Sequence, residues 1–161
     1  MRLLTLVRHA KSSWKDPDLT DYERPLNKRG RRDLPHAAQR CKEQLPPPDI
    51  IIASGAVRTW TTATAIHQHF DLAVPLIKDD SLYLASAEAM AALLMGQSDR
   101  HVMLVGHNPG LTELVYALSG ETIDKFPTSA ILHLHLNLDD WADLHLDCGI
   151  ISHFDYPKLH K

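Results

Sequence analysis

The sequence has few cysteines and no long apolar segment. Among its 161 residues are only two cysteines, Cys41 and Cys148, which lie far apart and form no CxxC pair. This excludes a disulfide-rich scaffold and predicts reduced thiols in a cytoplasmic protein. No apolar stretch approaches the roughly 20 residues of a membrane-spanning helix. The apolar N-terminal run is broken at Arg8 and His9, so neither a signal peptide nor a membrane partner is expected.

The sequence also lacks an excess of basic charge. Lysine and arginine number 17 and aspartate and glutamate number 20, which gives a formal net charge of −3 and a pI near 6.4. A chain with this balance is a poor candidate for general nucleic-acid binding, so no nucleic-acid partner is expected. Any anion site must therefore depend on local basic residues. The charge does not indicate an oligomeric state, and a monomer is the default expectation.

No linker, internal repeat or low-complexity segment interrupts the chain. Hydrophobic residues make up 44% and charged residues 23%, which is typical of a globular protein. The length predicts a single domain over residues 1–161 that can bury a core without disulfides or a metal.

Hydrophobic periodicity predicts alternating strands and helices followed by a hairpin. Short apolar runs indicate buried strands, and apolar residues at helical spacing indicate helices. Pro35 argues against regular first turns in the first helix. The expected elements are strands at 2–8, 50–53, 74–77 and 101–105, helices at 28–45, 56–70, 86–95 and 109–120, and hairpin strands at Ala130–Leu138 and Asp143–Ile150.

This order predicts an α/β fold. We expect a three-layer α/β/α sandwich whose central sheet is mainly parallel and carries an antiparallel C-terminal hairpin. His133, His135 and His145 are expected on the polar face of that hairpin. An HxH pair on one strand face can bind zinc, but no cysteine joins these histidines and a solvated polar face is more common. No metal is therefore expected.

Basic side chains follow the buried strands. The first strand ends in Arg8 and His9, the strand at 101–105 is followed by His107, and Arg58 lies in the first turn of a later helix. In open α/β sheets, ligands bind beyond the carboxyl ends of the strands. Guanidinium groups and helix N-termini bind phosphate oxygens, and a neutral imidazole is a competent nucleophile. The sequence therefore predicts a metal-free pocket for a dianion with a nucleophile inside it.

Four sequence blocks follow one another along the chain. They are LVRHAKSSW around His9, Arg24–Asn27 followed by Arg29-Gly30, Ser54–Thr59 followed by Thr62-Ala63, and Val105–Pro109. In this order and spacing they resemble the histidine phosphatase superfamily, which has the phosphoglycerate-mutase-like fold. The short length and the segment Asp155–Lys158 are similar to its compact SixA-type branch, the phosphohistidine phosphatases. The resemblance covers nearly the whole chain.

The resemblance implies a role for each of the four predicted site residues. It implies that His9 is the nucleophile and becomes phosphorylated, and that Arg8 and Arg58 bind the phosphoryl oxygens. His107 would donate to the same oxygens and stabilise charge in the transition state. No cofactor is implied.

Other positions are less completely matched to the family. Ser54 and Asn108 are expected to help bind the substrate. The glycine that usually follows the nucleophilic histidine is Ala10 here, a change we expect to be tolerated. Many members carry a glutamate as general acid, whereas this chain offers only Asp80, within Asp79–Tyr83, as a possible acid.

The weak match to a general acid bears on the substrate. General acid catalysis typically contributes about 10²–10⁴-fold. An alkoxide leaving group needs that help, whereas the imidazole that leaves phosphohistidine can already be protonated. The sequence therefore favours a histidine-phosphorylated protein as substrate. The alternatives are a small phosphorylated metabolite or sugar phosphate, or a non-catalytic phosphate-binding module; a metal-dependent hydrolase and a mutase fit less well.

Overall fold

A mixed six-stranded sheet forms the centre of the molecule in a computed structural model that describes residues 1–161. The strands are β1 (Arg2–Arg8), β2 (Ile50–Ala53), β3 (Leu76–Lys78), β4 (His101–Gly106), β5 (Ile131–Leu136) and β6 (Gly149–Asp155). The helices are α1 (Lys28–Gln44), α2 (Val57–His67), α3 (Ala87–Met95) and α4 (Gly110–Ser119). Short 3₁₀ turns lie at Asp80–Leu82, Trp141–Asp143 and Pro157–His160.

The order of the strands across the sheet is β3-β2-β4-β1-β5-β6. The first four are mutually parallel, whereas β5 runs antiparallel to β1 and β6 antiparallel to β5. The predicted α/β fold, with a mainly parallel sheet and an antiparallel terminal hairpin, is confirmed. None of the four helices has both the length and the apolar character that a membrane crossing requires.

The helices cover both faces of the sheet. Along β1, Leu4 and Leu6 join a core that includes Met90 of α3, whereas Val7 joins a second core that includes Ala38 of α1. Strands that are buried on both faces carry apolar residues at successive positions, because neighbouring side chains point to opposite sides. The continuous apolar runs in the sequence are explained by this three-layer arrangement.

α1 continues through Pro35, contrary to the expectation that this residue disturbs its first turns. The Asn27 side chain caps the helix by accepting a hydrogen bond from the Gly30 backbone N–H at 2.8 Å. Pro35 is exposed, and the buried residues Leu34 and Ala38 lie on the other face of the helix. Packing of the buried face therefore holds α1 together across the position where proline removes a helical hydrogen bond.

The second strand of the hairpin begins later than the sequence pattern predicts. It is β6 at Gly149–Asp155, not Asp143–Ile150. Trp141 is fully buried and its indole N–H donates to the Asp99 carbonyl, which fixes the preceding segment as a 3₁₀ turn. Leu146 is 72% exposed. The alternating leucines of this segment therefore do not mark the buried face of a strand.

The predicted polar face of the hairpin is partly buried, and His145 lies outside both strands. His133 is only 2% exposed. The Thr5 hydroxyl lies 2.7 Å from His101 Nε2 and 2.7 Å from His133 Nδ1. Because His101 Nδ1 donates to the Pro47 carbonyl, its Nε2 accepts from Thr5, and the Thr5 oxygen accepts from His133. These histidines are neutral structural groups, and no three metal-binding side chains converge in the structure.

The buried state of His133 predicts an acid-sensitive fold. Burial, and then the neighbouring histidines, lower its pKa from 6.5 to about 4. The unfolded chain therefore binds the proton first as the pH falls below 6.5, and stability is lost until about pH 4. Between pH 7 and pH 5 we expect this residue to contribute a loss of about 2 kcal/mol.

Urea unfolding at the two pH values measures this contribution. A His133→Leu variant should lose about 2 kcal/mol less than the wild type over the interval. His145 is exposed and is not among the neighbours that lower the pKa of His133, so a His145→Leu variant should keep the wild-type pH dependence. If the free energy of unfolding of His133→Leu falls between pH 7 and pH 5 by as much as that of the wild type, the acid sensitivity does not come from His133.

Candidate active site

Four of the residues predicted from the sequence meet at the carboxyl edge of the central strands. His9 follows β1 and His107 follows β4, and their ring centroids lie 5.4 Å apart. Arg58, in the first turn of α2, places Nη2 at 3.4 Å from His107 Nδ1. Arg8 is the last residue of β1. Two imidazoles and two guanidiniums thus share one pocket.

The protonation state of His9 is fixed by its neighbour. Its Nδ1 lies 2.8 Å from the Ala10 carbonyl, and a carbonyl oxygen only accepts, so Nδ1 carries the proton and Nε2 the lone pair. Burial, against the opposing effect of that hydrogen bond, and then the neighbouring His107, Arg58 and Arg8 together lower the pKa of His9 to about 3. The side chain is therefore a neutral imidazole at pH 7, with an unprotonated Nε2.

Ala10 fits its position without a special backbone conformation. It is not one of the residues with positive φ, and its N–H donates to the Thr62 hydroxyl at 2.9 Å. Its side chain is fully buried beside Leu26 and Leu34. The absence of the family's usual glycine therefore requires no change in the path of the chain.

A chain of hydrogen bonds fixes the state of His107. Thr59 donates its hydroxyl proton to the Ala56 carbonyl at 2.9 Å, so it accepts from Ser54 at 2.7 Å. Ser54 in turn accepts from His107 Nε2–H at 2.7 Å, which leaves Nδ1 unprotonated and facing Arg58. Burial, and then the charge of Arg58, lower the pKa of His107 to about 4. His107 is therefore also neutral in the free protein.

The two residues expected to help bind the substrate are engaged in other contacts. Ser54 is fully buried and its hydroxyl lies between His107 and Thr59. The side-chain oxygen of Asn108 accepts from the Thr112 backbone N–H at 3.1 Å and from its hydroxyl at 2.9 Å, in the first turn of α4. Ser54 thus orients His107 and Asn108 orients the start of the helix. Their contribution to substrate binding stays a prediction.

Asp21, which no sequence pattern indicated, orients Arg58. Its carboxylate accepts from Arg58 Nη2 at 2.9 Å, from Arg24 Nη1 at 2.8 Å and from the Tyr83 hydroxyl, and its backbone carbonyl accepts from Arg58 Nη1 at 2.6 Å. Burial acts to raise the pKa of Asp21, but the hydrogen bonds from Tyr83, Arg24 and Arg58 hold it well below its usual value. Asp21 is therefore ionised, and it holds one edge of the Arg58 guanidinium through hydrogen bonds from Nη1 and Nη2.

Arg8 differs from Arg58 in having no carboxylate partner. Its Nη1 donates to the Phe126 carbonyl at 2.9 Å, and its buried Nε has no hydrogen-bond partner. Burial, and then the charge of Arg58, lower the pKa of Arg8. The pocket thus contains one guanidinium, that of Arg58, which shares the Asp21 carboxylate with Arg24, and one, that of Arg8, which has no carboxylate partner. This arrangement leaves positive charge available to an anionic ligand.

Asp80 lies at the exposed rim of the site. Its carboxylate accepts from the Gly55 N–H at 2.8 Å and from the Tyr22 hydroxyl at 2.9 Å. A side chain at Gly55 would collide with Tyr22 and Asp80, so this close approach requires glycine. Asp80 therefore links the segment after β2 to the turn after β3.

Comparisons with known proteins identify the family and the fold of this chain. The model of the histidine phosphatase superfamily (branch 1) matches residues 4–83, the part of the chain that carries Arg8, His9 and Arg58. A solved structure with 28% identity, a candidate phosphohistidine phosphatase SixA from Agrobacterium tumefaciens, has a TM-score of 0.84 and is aligned over 97% of this chain and 98% of that one. This chain belongs to the histidine phosphatase superfamily.

Other relatives of this superfamily member extend the comparison. The protein histidine phosphatase SixA, solved with tungstate, has the same fold with a TM-score of 0.82, 22% identity and 99% coverage of both chains. An uncharacterised chloroplastic protein of Arabidopsis thaliana is 32% identical over 81% of this chain, which spans 65% of that protein's length. An uncharacterised protein of Mycobacterium tuberculosis is 29% identical over 94% of this chain and its own full length.

Proposed function

We propose that this superfamily member is a metal-independent phosphatase that removes the phosphoryl group from phosphohistidine on a protein, through a phosphorylated His9. The observation that carries the proposal is the state of His9. Its Nε2 is unprotonated at neutral pH because Nδ1 donates to the Ala10 carbonyl and burial lowers the pKa. Similarity to the candidate phosphohistidine phosphatase of Agrobacterium tumefaciens supports this substrate class.

In the first step, the lone pair of His9 Nε2 attacks phosphorus. A P–N bond forms on the enzyme while the P–N bond of the substrate breaks, and its electron pair passes to the leaving imidazole, which departs neutral because its other nitrogen carries a proton. Arg8 and Arg58 neutralise the phosphoryl oxygens as their charge is redistributed. Asp21 holds Arg58 in a fixed orientation, so little reorganisation is needed during the reaction.

His107 acts through the proton that it lacks in the free protein. In the free protein the Nδ1 lone pair faces Arg58 Nη2 at 3.4 Å, and a monoprotonated phosphoryl group that displaces this long contact donates a hydrogen bond to the same atom. Transfer of this proton turns His107 into an imidazolium that donates to the phosphoryl oxygen and stabilises its negative charge. The hydrogen bond to Ser54 keeps the ring in place throughout.

In the second step, water attacks the phosphorus of phosphorylated His9. The enzyme P–N bond breaks, Nε2 regains its lone pair, and inorganic phosphate leaves as H2PO4⁻ with the oxygen and both protons of the water. His107 then releases to solvent the proton that it took from the phosphoryl group and is neutral again. The same guanidiniums stabilise this transition state, because it presents phosphoryl oxygens in the same place. The cycle ends with neutral His9 and needs no cofactor.

The surroundings of Asp80 support phosphohistidine over a sugar phosphate as the substrate. The Asp80 carboxylate already accepts from Gly55 and Tyr22, so it is held in its acceptor role. A leaving alkoxide needs a proton donor, whereas a leaving imidazole does not. A small phosphate ester is the second candidate substrate.

We place the reaction in the cytoplasm, since both cysteines are unpaired thiols buried in the fold.

An Asp80→Asn variant tests whether hydrolysis of phosphohistidine needs this carboxylate as an acid. Asparagine keeps an acceptor for Gly55 but cannot transfer a proton. We expect turnover of a phosphohistidine peptide to change by less than about twofold, because its leaving group needs little acid catalysis. A fall of about tenfold or more in kcat on the peptide would identify Asp80 as a required acid and contradict this account.

The proposed function is tested by measuring phosphate release from a histidine-phosphorylated peptide and from a sugar phosphate, both with EDTA present. We expect chelator-resistant turnover and a higher kcat/KM for the peptide. Turnover of the ester alone would move the substrate class to small metabolites. Tight phosphate binding without turnover of either substrate would identify a non-catalytic module.

A further inference from the structure

A basic groove opens beside the pocket. It has a volume of about 670 Å³ and begins at Arg8. Two carboxylates and six cationic side chains line it, the cations being Arg8, Lys11, Arg29, Lys125, Lys158 and Lys161. The whole chain carries a formal net charge of −3, so this positive surface runs counter to the overall balance.

Most of these cations have no ionic partner. Among them only Lys161 pairs with a carboxylate, that of Asp33 at 3.0 Å. Lys125, Lys158 and Arg29 are exposed and lie in no ion pair. Unpaired cations along a concave surface raise the local concentration of anions and speed their association. The groove is therefore suited to an anionic ligand that extends beyond the phosphoryl group.

A second groove continues the first. Its volume is about 290 Å³, and it shares Asp33, Pro157 and Lys161 with the larger groove. Arg32 and Arg40 of α1 also line it, and it has no hydrophobic lining residue. We call the two grooves together the basic track.

The length of the basic track favours a chain over a small molecule. Arg29, Arg32, His36 and Arg40 lie three to four residues apart, so they follow one face of α1 over about 16 Å. This distance matches about five residues of extended peptide. Arg29, Arg32 and His36 are exposed, and Arg40 is held by a carboxylate nearby, that of Asp155 at 2.8 Å. A site for one small ligand instead places a few polar groups in a largely apolar cavity.

We propose that the basic track binds an acidic segment of the protein substrate, next to its phosphohistidine. The inference rests on the proposed function and adds the charge of the sequence around the phosphorylated residue. The phosphoryl group lies at Arg8, and the carboxylates of the segment lie along Arg29, Lys158 and the following residues of α1. Electrostatic steering of this kind lowers KM and weakens with added salt.

Binding of unphosphorylated peptides tests the track independently of turnover. Two labelled peptides of equal length are compared by fluorescence anisotropy, one with glutamates after its histidine and one with glutamines in their place. We expect the glutamate peptide to bind the wild type about tenfold more tightly at low salt. An Arg29→Glu/Lys158→Glu variant should reduce this preference to less than about twofold.

The matched control is Lys42→Glu. Lys42 is exposed in the last turn of α1 and lines neither groove, so this variant should keep the wild-type preference. Equal binding of the two peptides, or a preference that survives Arg29→Glu/Lys158→Glu, would overturn the proposal. Tighter binding of an oligodeoxythymidylate of equal charge would overturn it in favour of nucleic acid.

Hydrolysis of the phosphorylated peptides provides the second measurement. A lower KM for the glutamate peptide that depends on Arg29 and Lys158 supports both proposals. A glutamate peptide that binds through these residues but is not hydrolysed, while a sugar phosphate is, contradicts the proposed function and supports the track. A glutamate peptide hydrolysed with the same KM as the glutamine peptide supports the proposed function and overturns the track.

Discussion

Replacing His9 with alanine is expected to abolish hydrolysis of a phosphohistidine peptide, with kcat reduced by roughly 10⁴-fold or more. The reason is that Nε2 of His9 supplies the electron pair for the first step, and no other side chain in the pocket can replace it. His107 directs its Nε2 proton to Ser54, and its Nδ1 faces Arg58. Phosphate release with EDTA present measures the effect.

The control for this experiment is another histidine. His145 is exposed and lies outside the strands, so His145→Ala should keep wild-type turnover. Rapid acid-free quenching during turnover should trap phosphate on the wild type and on His145→Ala, but not on His9→Ala. If the His9→Ala protein is folded, as judged by its thermal unfolding, and still releases phosphate, the mechanism is wrong.

Replacing Arg58 with alanine is expected to lower kcat/KM by about 10²–10³-fold, the usual effect of removing one donor that stabilises an oxyanion. Lysine should restore little of this loss. Its single ammonium group cannot bind both the carboxylate and the backbone carbonyl of Asp21 while also reaching the phosphoryl oxygens. Steady-state kinetics on the phosphohistidine peptide measure both variants.

A double-mutant cycle tests the positioning role of Asp21. Asp21→Asn alone should reduce kcat/KM, and adding it to Arg58→Ala should have little further effect, because both changes disturb the same guanidinium. Additive effects would show that Asp21 acts independently of Arg58. Arg100 is exposed and precedes β4 at the opposite edge of the sheet, so Arg100→Ala serves as the control and should leave turnover unchanged.

Most of the fold follows from local sequence patterns. The apolar runs that form β1, β2 and β4 are continuous and buried on both faces, and they are too short for helices, so their length favours strands. The helices between them have clear ends, as when Ser86 caps α3 and Gly96 ends it. Alternating elements of this kind have few permitted topologies.

The hairpin was less predictable, because alternation is a weaker signal. The apolar residues of 143–150 alternate as in a half-buried strand, yet Leu146 and Ile150 are exposed. Burial of Trp141 decides the path of this segment, and its contact with Asp99 is distant in sequence. Tertiary packing of this kind is not visible in a local pattern.

The same contrast holds for the candidate site: some of its residues follow from their position along the chain, and others depend on tertiary contacts. Four site residues could be predicted because each ends a strand, immediately follows one or lies in the helix turn after one, and parallel strands end at one edge. They are Arg8, His9, Arg58 and His107. Asp21 could not be predicted, because it lies in an irregular loop and its role depends entirely on tertiary contacts with Arg58 and Tyr83. The contacts of Ser54 also depend on the hydrogen-bonding capacity of neighbouring groups, which sequence position does not reveal.

The uncompensated guanidinium of Arg8 has a consequence for the protein's thermal behaviour. A partly buried cation without a carboxylate partner destabilises the fold, so Arg8 makes the protein less stable than the packing of its core alone would allow. Inorganic phosphate or another tetrahedral oxyanion should raise the melting temperature of the wild type in a concentration-dependent manner. An Arg8→Met protein should melt higher than the wild type in the absence of anions and respond less to phosphate. Resistance to heat and readiness to bind phosphate are thus opposed in this molecule, and one side chain sets the balance between them.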